Sequence, residues 1–308
     1  MSTPDPEVAF DAHPPGEDRS GLMAATTAFI IWGLLPLYLR PLGSVPALQI
    51  TAHRIVECCL LVILWLAVKG QLGAVRAALA DPQSRRRLFA STLMISVNWL
   101  VYVWSIGNGH VVDASLGYFI NPLVSVLMGV LILSERLDRA QWAAVALAAC
   151  GVAYLTYATG RVPWIALVLA LTFGTYGLLR KVVAVEPVPG LAVETLLLLP
   201  LSIGWLAWCE WQGTGAFGHQ GRGIDALLVG SGIVTALPLT LFAYGARRIR
   251  LSTVGLLQYF GPTLQFLCGI FVFHEAFPRT RFIGFAIIWS ALAIFVADNL
   301  WRSRRLFR

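Results

Sequence analysis

Long apolar runs alternate with short polar stretches from about position 22 to position 300 of the chain. A run of about 18 or more apolar residues can cross a hydrocarbon core of about 30 Å as a helix. The chain contains ten such runs: 22–39, 48–68, 88–106, 112–133, 141–158, 162–179, 191–208, 226–246, 251–273 and 282–300. The pattern therefore predicts an all-α polytopic membrane protein with ten transmembrane helices.

The composition argues against the main alternative, a large soluble helical protein. Of the 308 residues, 57% are hydrophobic and 13% are charged, whereas a soluble domain is about 25% charged. The apolar runs also lack a polar face, and the loops between them are too short to cover them.

One segment is repeated at half the chain length. NPLVSVLMGVLILSE, from Asn121 to Glu135, has a counterpart 140 positions later in GPTLQFLCGIFVFHE, from Gly261 to Glu275. Five predicted helices per copy is an odd number, so the second copy must enter the membrane inverted relative to the first. Inverted repeats are typical of secondary transporters that work by alternating access. An ancient duplication without a retained mechanism is the alternative.

The repeat divides the chain into two five-helix units, 22–160 and 161–301. Residues 1–21 are acidic and rich in proline, and they are predicted to form a disordered cytoplasmic tail. Residues 302–308 are predicted to form a basic cytoplasmic tail. Because a secretory signal begins with basic residues, no cleavable targeting segment is expected.

Lys and Arg are concentrated on one side of the predicted topology. With the N-terminus in the cytoplasm, 17 of the 23 Lys and Arg lie in cytoplasmic segments and 5 in outer segments, and Arg54 lies within a span. Since cytoplasmic loops carry the basic excess, both termini are predicted to be cytoplasmic, with the chain in the cell inner membrane. The net charge of +7 therefore reflects topology, and no nucleic-acid partner is expected.

The sequence lacks the usual motifs for metals and cofactors. The five cysteines form no CxxC pair, and neither GxxxxGK[ST] nor GxSxG occurs. We expect no metal, no cofactor and no direct use of ATP. The expected partners are a small-molecule substrate and membrane lipid.

Several motifs resemble those of the RarD-type permeases, in the EamA branch of the drug/metabolite transporter superfamily. They are IWGLLPLYLR, AHRI, NWLVYVW, ASLGYFINPL, GLLRK, LSTVGLLQYFGPTLQFL and ALAIFVAD, and they span about residues 20 to 300. The resemblance implies a ten-helix inner-membrane permease built from two inverted five-helix repeats. Two positions depart from the family pattern: Gln49 stands where a Glu is usual, and Glu57 where a Trp is usual.

Two prolines occupy matching places within predicted spans. Pro122 and Pro262 each remove a backbone donor, and Asn121 and Gly261 precede them. Helices that are kinked at matching places in two halves point to a central binding site.

The second span carries three ionisable residues, His53, Arg54 and Glu57. Glu57 is four positions from His53 and three from Arg54, so it can contact either one on the same helix face. Arg54 can bind a substrate carboxylate or phosphate, and His53 or Glu57 can couple transport to protons. The alternative is an internal ion pair that only fixes helix packing.

Glu194, near the start of the seventh span, is the repeat counterpart of Thr51. Its carboxyl is expected either to exchange protons or to pair with Arg54. Other candidates are aromatic and amide residues within spans, which suit an amphipathic solute but also occur in plain packing. They are Trp32, Asn98, Trp99, Tyr118, Asn121, Tyr176, Gln258 and Tyr259.

Acidic residues also stand at span ends. Asp113 and Asp298 are interpreted as caps or interfacial charges. Glu135 and Glu275 occupy matching repeat positions, and they are expected to pair with nearby Arg136, Arg139 or Arg279.

Together these features predict a permease that moves a small metabolite or drug by alternating access, as an exporter by family resemblance. Proton coupling through Glu194, His53 or Glu57 is a further hypothesis. The alternatives are a passive facilitator and a membrane-embedded enzyme that uses His53 and Glu57 as acid and base.

Overall fold

The computed structural model describes residues 19–133, 139–246, 248–249 and 257–306, and within these ranges it contains helices and no strand. The helices are α1 Arg19–Leu39, α2 Ala47–Val68, α3 Leu72–Ala80, α4 Pro82–Gly107, α5 Val111–Leu133, α6 Arg139–Thr159, α7 Trp164–Val182, α8 Pro187–Trp211, α9 Arg222–Ala246, α10 Phe260–Leu267 and α11 Arg279–Leu306. A 3-10 helix, Arg40–Leu42, follows α1, and a π-helix, Cys268–Val272, continues α10.

The helices fit a membrane protein in length and composition. Within the described residues, seven are long and apolar enough to cross a bilayer: α1, α2, α4, α6, α8, α9 and α11. Shorter apolar helical segments are Val111–Val124, Trp164–Arg180 and Phe260–Val272. The all-helical class is therefore confirmed, while the count of ten spans stays a prediction.

The short helix α3 lies between the predicted second and third spans, outside every predicted span. Val75 and Ala78 are buried on one of its faces, in a cluster with Leu191 and Ala192 of α8. This contact explains the helix, because nine residues form a helix in water only marginally without tertiary packing.

Helices from the two halves of the chain pack against each other. α5 lies along α7, and both α1 and α2 lie against α9. At the α5–α7 contact, a Cβ added to Gly117 would stand 2.8 Å from the carbonyl oxygen of Ala166. Glycine therefore permits the close approach of these two backbones.

The two repeat prolines have different surroundings. Pro122 lies inside α5, which is helical on both sides of it. Pro262 lies in the first turn of α10, directly after a turn at Gln258 and Tyr259. Proline is tolerated in a first helical turn because the N–H groups there have no intrahelical partner. The kinks at both prolines stay predictions.

Candidate functional site

Arg54 lies in the interior of the bundle with 5% of its surface exposed. Its Nε donates to the hydroxyl oxygen of Thr235 on α9 at 3.2 Å. Its guanidinium carbon lies 5.4 Å from the ring centroid of Trp99 on α4. Nη1 is buried without a hydrogen-bond partner, and no carboxylate of the described residues lies within ion-pair distance of the guanidinium.

Three tyrosines lie near this guanidinium. Tyr38, Tyr102 and Tyr118 are close enough to Arg54 to interact with it electrostatically. The Tyr102 hydroxyl is buried and has no hydrogen-bond partner in the described part of the chain, and its ring meets that of Tyr118 edge-on with centroids 5.7 Å apart. We name Arg54, Trp99, Tyr102, Tyr118 and Thr235 the arginine site.

Asn98 holds one wall of the arginine site in place. Its Nδ2 donates to the backbone oxygen of Leu169 at 3.1 Å and to the hydroxyl of Thr172 at 3.0 Å. Its Oδ1 accepts a 3.3 Å hydrogen bond from Tyr118. The structure thus brings together four residues predicted from the sequence, Arg54, Asn98, Trp99 and Tyr118.

A second polar cluster surrounds Glu194, which is 1% exposed. Its carboxylate accepts hydrogen bonds from Ser91 of α4 at 2.6 Å and from Tyr176 of α7 at 3.2 Å. Nη1 of Arg180 lies 3.7 Å from the same carboxylate and forms an ion pair with it. We name Ser91, Tyr176, Arg180 and Glu194 the glutamate site.

The expected pairing of Glu194 with Arg54 is wrong, because Arg180 supplies the cation. Nη2 of Arg180 also donates to the backbone oxygens of Glu186 and Pro187 at 3.4 and 3.2 Å. A Cβ at Gly190, one turn before Glu194, would overlap the Arg180 guanidinium. Glycine at this position therefore makes room for the ion pair.

His53 and Glu57 do not join either cluster. The His53 ring lies against Phe217 with centroids 5.7 Å apart. Among the described contacts, Glu57 forms no ion pair or hydrogen bond with His53 or Arg54, so the proposed same-face pairs are absent. Glu57 instead packs against α9, where a Cβ added to Gly232 would lie 2.5 Å from the Cβ of Glu57.

Gln49, one of the two departures from the family pattern, has a structural role. Its Nε2 donates to the backbone oxygen of Thr214 at 2.9 Å, and its Oε1 accepts from the backbone N–H of Ala216 at 3.0 Å. An ionised Glu has no donor, so it would leave the Thr214 bond unmade.

The remaining candidates lie elsewhere. Trp32 packs with Phe29 and Phe242, and its backbone oxygen accepts from Gln265 at 3.1 Å. The Oδ1 of Asn121 is buried and has no hydrogen-bond partner among the residues that the structure describes. Gln258 and Tyr259 lie in the turn before α10.

Sequence reasoning missed four residues of the two sites: Ser91, Tyr102, Arg180 and Thr235. Ser91 and Thr235 are small hydroxyl residues of a kind that often bonds only to its own helix. Arg180 directly follows the predicted span 162–179, so the predicted topology places it among the cytoplasmic charges. No group of three or more His, Cys, Asp or Glu suited to a metal ion occurs in the described ranges.

Glu275 caps a helix of the other half of the chain. Its carboxylate accepts from the backbone N–H groups of Val111 and Val112, at the start of α5, at 2.6 and 2.9 Å. The expected pairing with Arg279 is therefore wrong for Glu275, because a helix N-terminus attracts the carboxylate. Its repeat counterpart Glu135 lies outside the described residues.

We predict that Glu275→Gln lowers the free energy of unfolding by about 0.5–2 kcal/mol, the usual effect of losing a cap. Burial raises the pKa of Glu275, opposed by the two backbone donors. A carboxyl whose pKa is raised in the folded state stabilises the fold at low pH, and this stabilisation is lost as pH rises through the folded-state pKa. The stability difference between wild type and variant should therefore shrink as pH rises above the unfolded pKa, about 4.5.

Thermal unfolding in detergent between about pH 4 and pH 7 measures this difference across the window set by the raised pKa. Glu210→Gln is the control, because the Glu210 carboxylate is exposed and its pair with His219 contributes little. A difference that widens as pH rises would contradict the prediction.

Comparison with known proteins gives the family. The profile of the EamA-like transporter family matches residues 19–157. A protein of Streptomyces exfoliatus named Protein RarD is 45% identical over 292 residues, which cover 94% of this chain and 92% of the relative. The chain belongs to the RarD-type permeases of the EamA-like transporter family.

Two further similarities agree with this RarD-type permease. An uncharacterized transporter of Vibrio cholerae is 43% identical over 282 residues, covering 92% of this chain and 93% of the relative. A solved crystal structure matches with a TM-score of 0.58 at 22% identity, over 93% of this chain and 98% of the other, and it supports the fold alone. The chain is thus a multi-pass membrane transporter.

Proposed function

We propose that the chain is a secondary transporter that moves a small solute intact across the cytoplasmic membrane by alternating access. The carrying observation is the glutamate site, where a carboxylate that is 1% exposed bonds to side chains of α4 and α7. An ionisable group inside a bilayer is costly, and it usually marks a transport pathway or a proton relay. Family membership supports the same assignment.

The proposed architecture is ten spans in two inverted units, 22–160 and 161–301, with both termini in the cytoplasm. The packing of α1 and α2 against α9, and of α5 against α7, supports this proposal. These contacts join the two units, so relative movement of the units can change the access to residues between them.

We assign different roles to the two sites. The arginine site, with Asn98 behind it, contacts the solute, while Glu194 couples transport to protons. In the glutamate site a proton on Glu194 would remove its attraction for Arg180 and free α7 from α8 at this point. Export is the proposed direction.

The enzyme alternative has less support. It requires His53 and Glu57 to act together on a substrate, but His53 packs on Phe217 and Glu57 faces α9. Two catalytic side chains need to reach the same reacting group.

Flux through proteoliposomes tests the proposed function. Vesicles containing the full chain would be loaded with amino acids and small amphipathic drugs under an inside-acid or inside-alkaline pH gradient. Mass spectrometry would then measure which compounds leave. A compound that leaves intact, at a rate that depends on the gradient, is the expected result.

The other outcomes separate the alternatives. A rate of release that does not depend on the pH gradient indicates a passive facilitator, and a chemically altered product indicates an enzyme. Release no faster than from protein-free vesicles, for every compound, contradicts the transporter assignment.

A further inference from the structure

The arginine site contains a buried charge that no described residue neutralises with an ion pair. Glu194 is the buried carboxylate among the described residues, and it already forms an ion pair with Arg180 at 3.7 Å. The described contacts of the Arg54 guanidinium are with neutral groups, the Thr235 hydroxyl and the Trp99 ring. The two sites are therefore electrostatically unequal: one is an ion pair and the other is a lone cation.

The contacts of Arg54 leave its charge without an anionic partner among the described residues. They are one hydrogen bond, to Thr235, and one cation–π contact, to Trp99, while Nη1 is buried without a hydrogen-bond partner. Burying an unpaired ion is costly even after the protein relaxes. An anion that occupies the site during the transport cycle would supply the missing partner.

We propose that the arginine site binds the anionic group of a small organic anion, and that this anion is the transported solute. The inference rests on the proposed transport function and adds the substrate class. A carboxylate and a phosphate share the required chemistry, since each offers two oxygens to a planar guanidinium.

The free groups of the site fit such an anion. Nε of Arg54 already donates to Thr235, whereas Nη1 donates to no described residue and is available to an anion. The hydroxyl of Tyr102 is a second unused donor. The hydroxyl hydrogen of Thr235 is directed to the backbone oxygen of Ser231 at 2.8 Å, so Thr235 fixes the arginine without competing for the anion.

The same arrangement indicates the rest of the solute. The amide group of Asn98 donates hydrogen bonds to α7, and its oxygen accepts one from Tyr118. Asn98 therefore positions the wall and is not free to bind the solute. The nearby surface is aromatic, formed by Trp99, Tyr102 and Tyr118. An apolar or aromatic body attached to the anionic group therefore suits this wall.

Equilibrium binding to the purified full chain in detergent tests the inference. The probes are benzoate and phenyl phosphate, with neutral benzamide and cationic benzylamine for comparison, and the readouts are equilibrium dialysis and the thermal unfolding midpoint. At least one anion is expected to bind about tenfold or more tightly than benzamide. The two anions distinguish a carboxylate site from a phosphate site.

Variants assign the binding to the arginine. Arg54→Gln should weaken anion binding by about tenfold or more, and Arg54→Lys by less, because lysine keeps the charge but loses the planar fork. Tyr102→Phe, which retains the ring, should weaken binding roughly twofold to tenfold through one lost hydrogen bond. Arg40→Gln is the matched control, since Arg40 is an exposed arginine 5.0 Å from the ring of Phe273.

Three results would overturn the inference: neither anion binds the wild type, benzamide binds as tightly as the anions, or Arg54→Gln and Tyr102→Phe bind anions like the wild type. The proposed function fails separately. Arg54-dependent anion binding without any flux would contradict transport alone, whereas Arg54-independent flux of neutral or cationic solutes would contradict the anion alone.

Discussion

Flux through proteoliposomes that contain the Glu194→Gln variant is expected to fall roughly tenfold to a hundredfold below the wild-type rate. Glutamine can still bond to Ser91 and Tyr176, but it cannot exchange a proton or attract Arg180 as an ion. A hydrogen bond to a charged group contributes about 1.5–3 kcal/mol, and about 1.4 kcal/mol corresponds to a tenfold change. The rate of the residual flux should not depend on the pH gradient.

Glu210→Gln is the matched control for this flux measurement. It makes the same chemical change on the same helix, α8, but its side chain is exposed and pairs with His219 at 2.7 Å. We expect its flux to equal that of the wild type. Retention of gradient-dependent flux by Glu194→Gln, with both variants folded, would remove Glu194 from the mechanism.

The all-helical class could be predicted from hydropathy because each membrane helix satisfies its own backbone hydrogen bonds. The apolar runs therefore locate the helices without knowledge of their neighbours. α3 was missed because only two of its residues, Val75 and Ala78, are buried, and they pack on a helix more than a hundred positions away.

The sequence could identify charged residues of the candidate sites, but it could not identify the side chains that they contact. Arg54 and Glu194 are conspicuous because charges within apolar runs are rare. Their real partners depend on helix packing. Arg180 reaches Glu194 across the connection between α7 and α8, and Thr235 reaches Arg54 from α9.

Glu275 shows the same limit. Its position in the repeat indicated a shared local role with Glu135, and nearby arginines offered an obvious pairing. The structure instead directs its carboxylate to the first N–H groups of α5, 163 and 164 positions earlier in the chain. Backbone donors at a helix start carry no sequence signal of their own, so this partner is found only from the fold.

The Arg180→Gln variant is expected to lose about 3–5 kcal/mol of unfolding free energy, the usual cost of breaking a buried ion pair from one side. It should be less stable than Glu194→Gln because the two partners differ in burial. Glu194 is 1% exposed and would be left as an unpaired carboxylate, whereas Arg180 is 14% exposed and keeps its bonds to the backbone oxygens of Glu186 and Pro187.

Chemical unfolding in detergent measures this asymmetry, with Arg87→Gln as the matched control. Arg87 donates to the backbone oxygen of Val182 at 2.6 Å without forming an ion pair among the described residues, so its loss should cost about 1.5–3 kcal/mol, less than breaking the buried pair. The double variant Arg180→Gln/Glu194→Gln should recover most of the stability lost in Arg180→Gln, because the unpaired carboxylate is gone. Additive losses in the double variant, or an Arg180→Gln loss no larger than that of Arg87→Gln, would show that the glutamate site is not an energetically coupled pair.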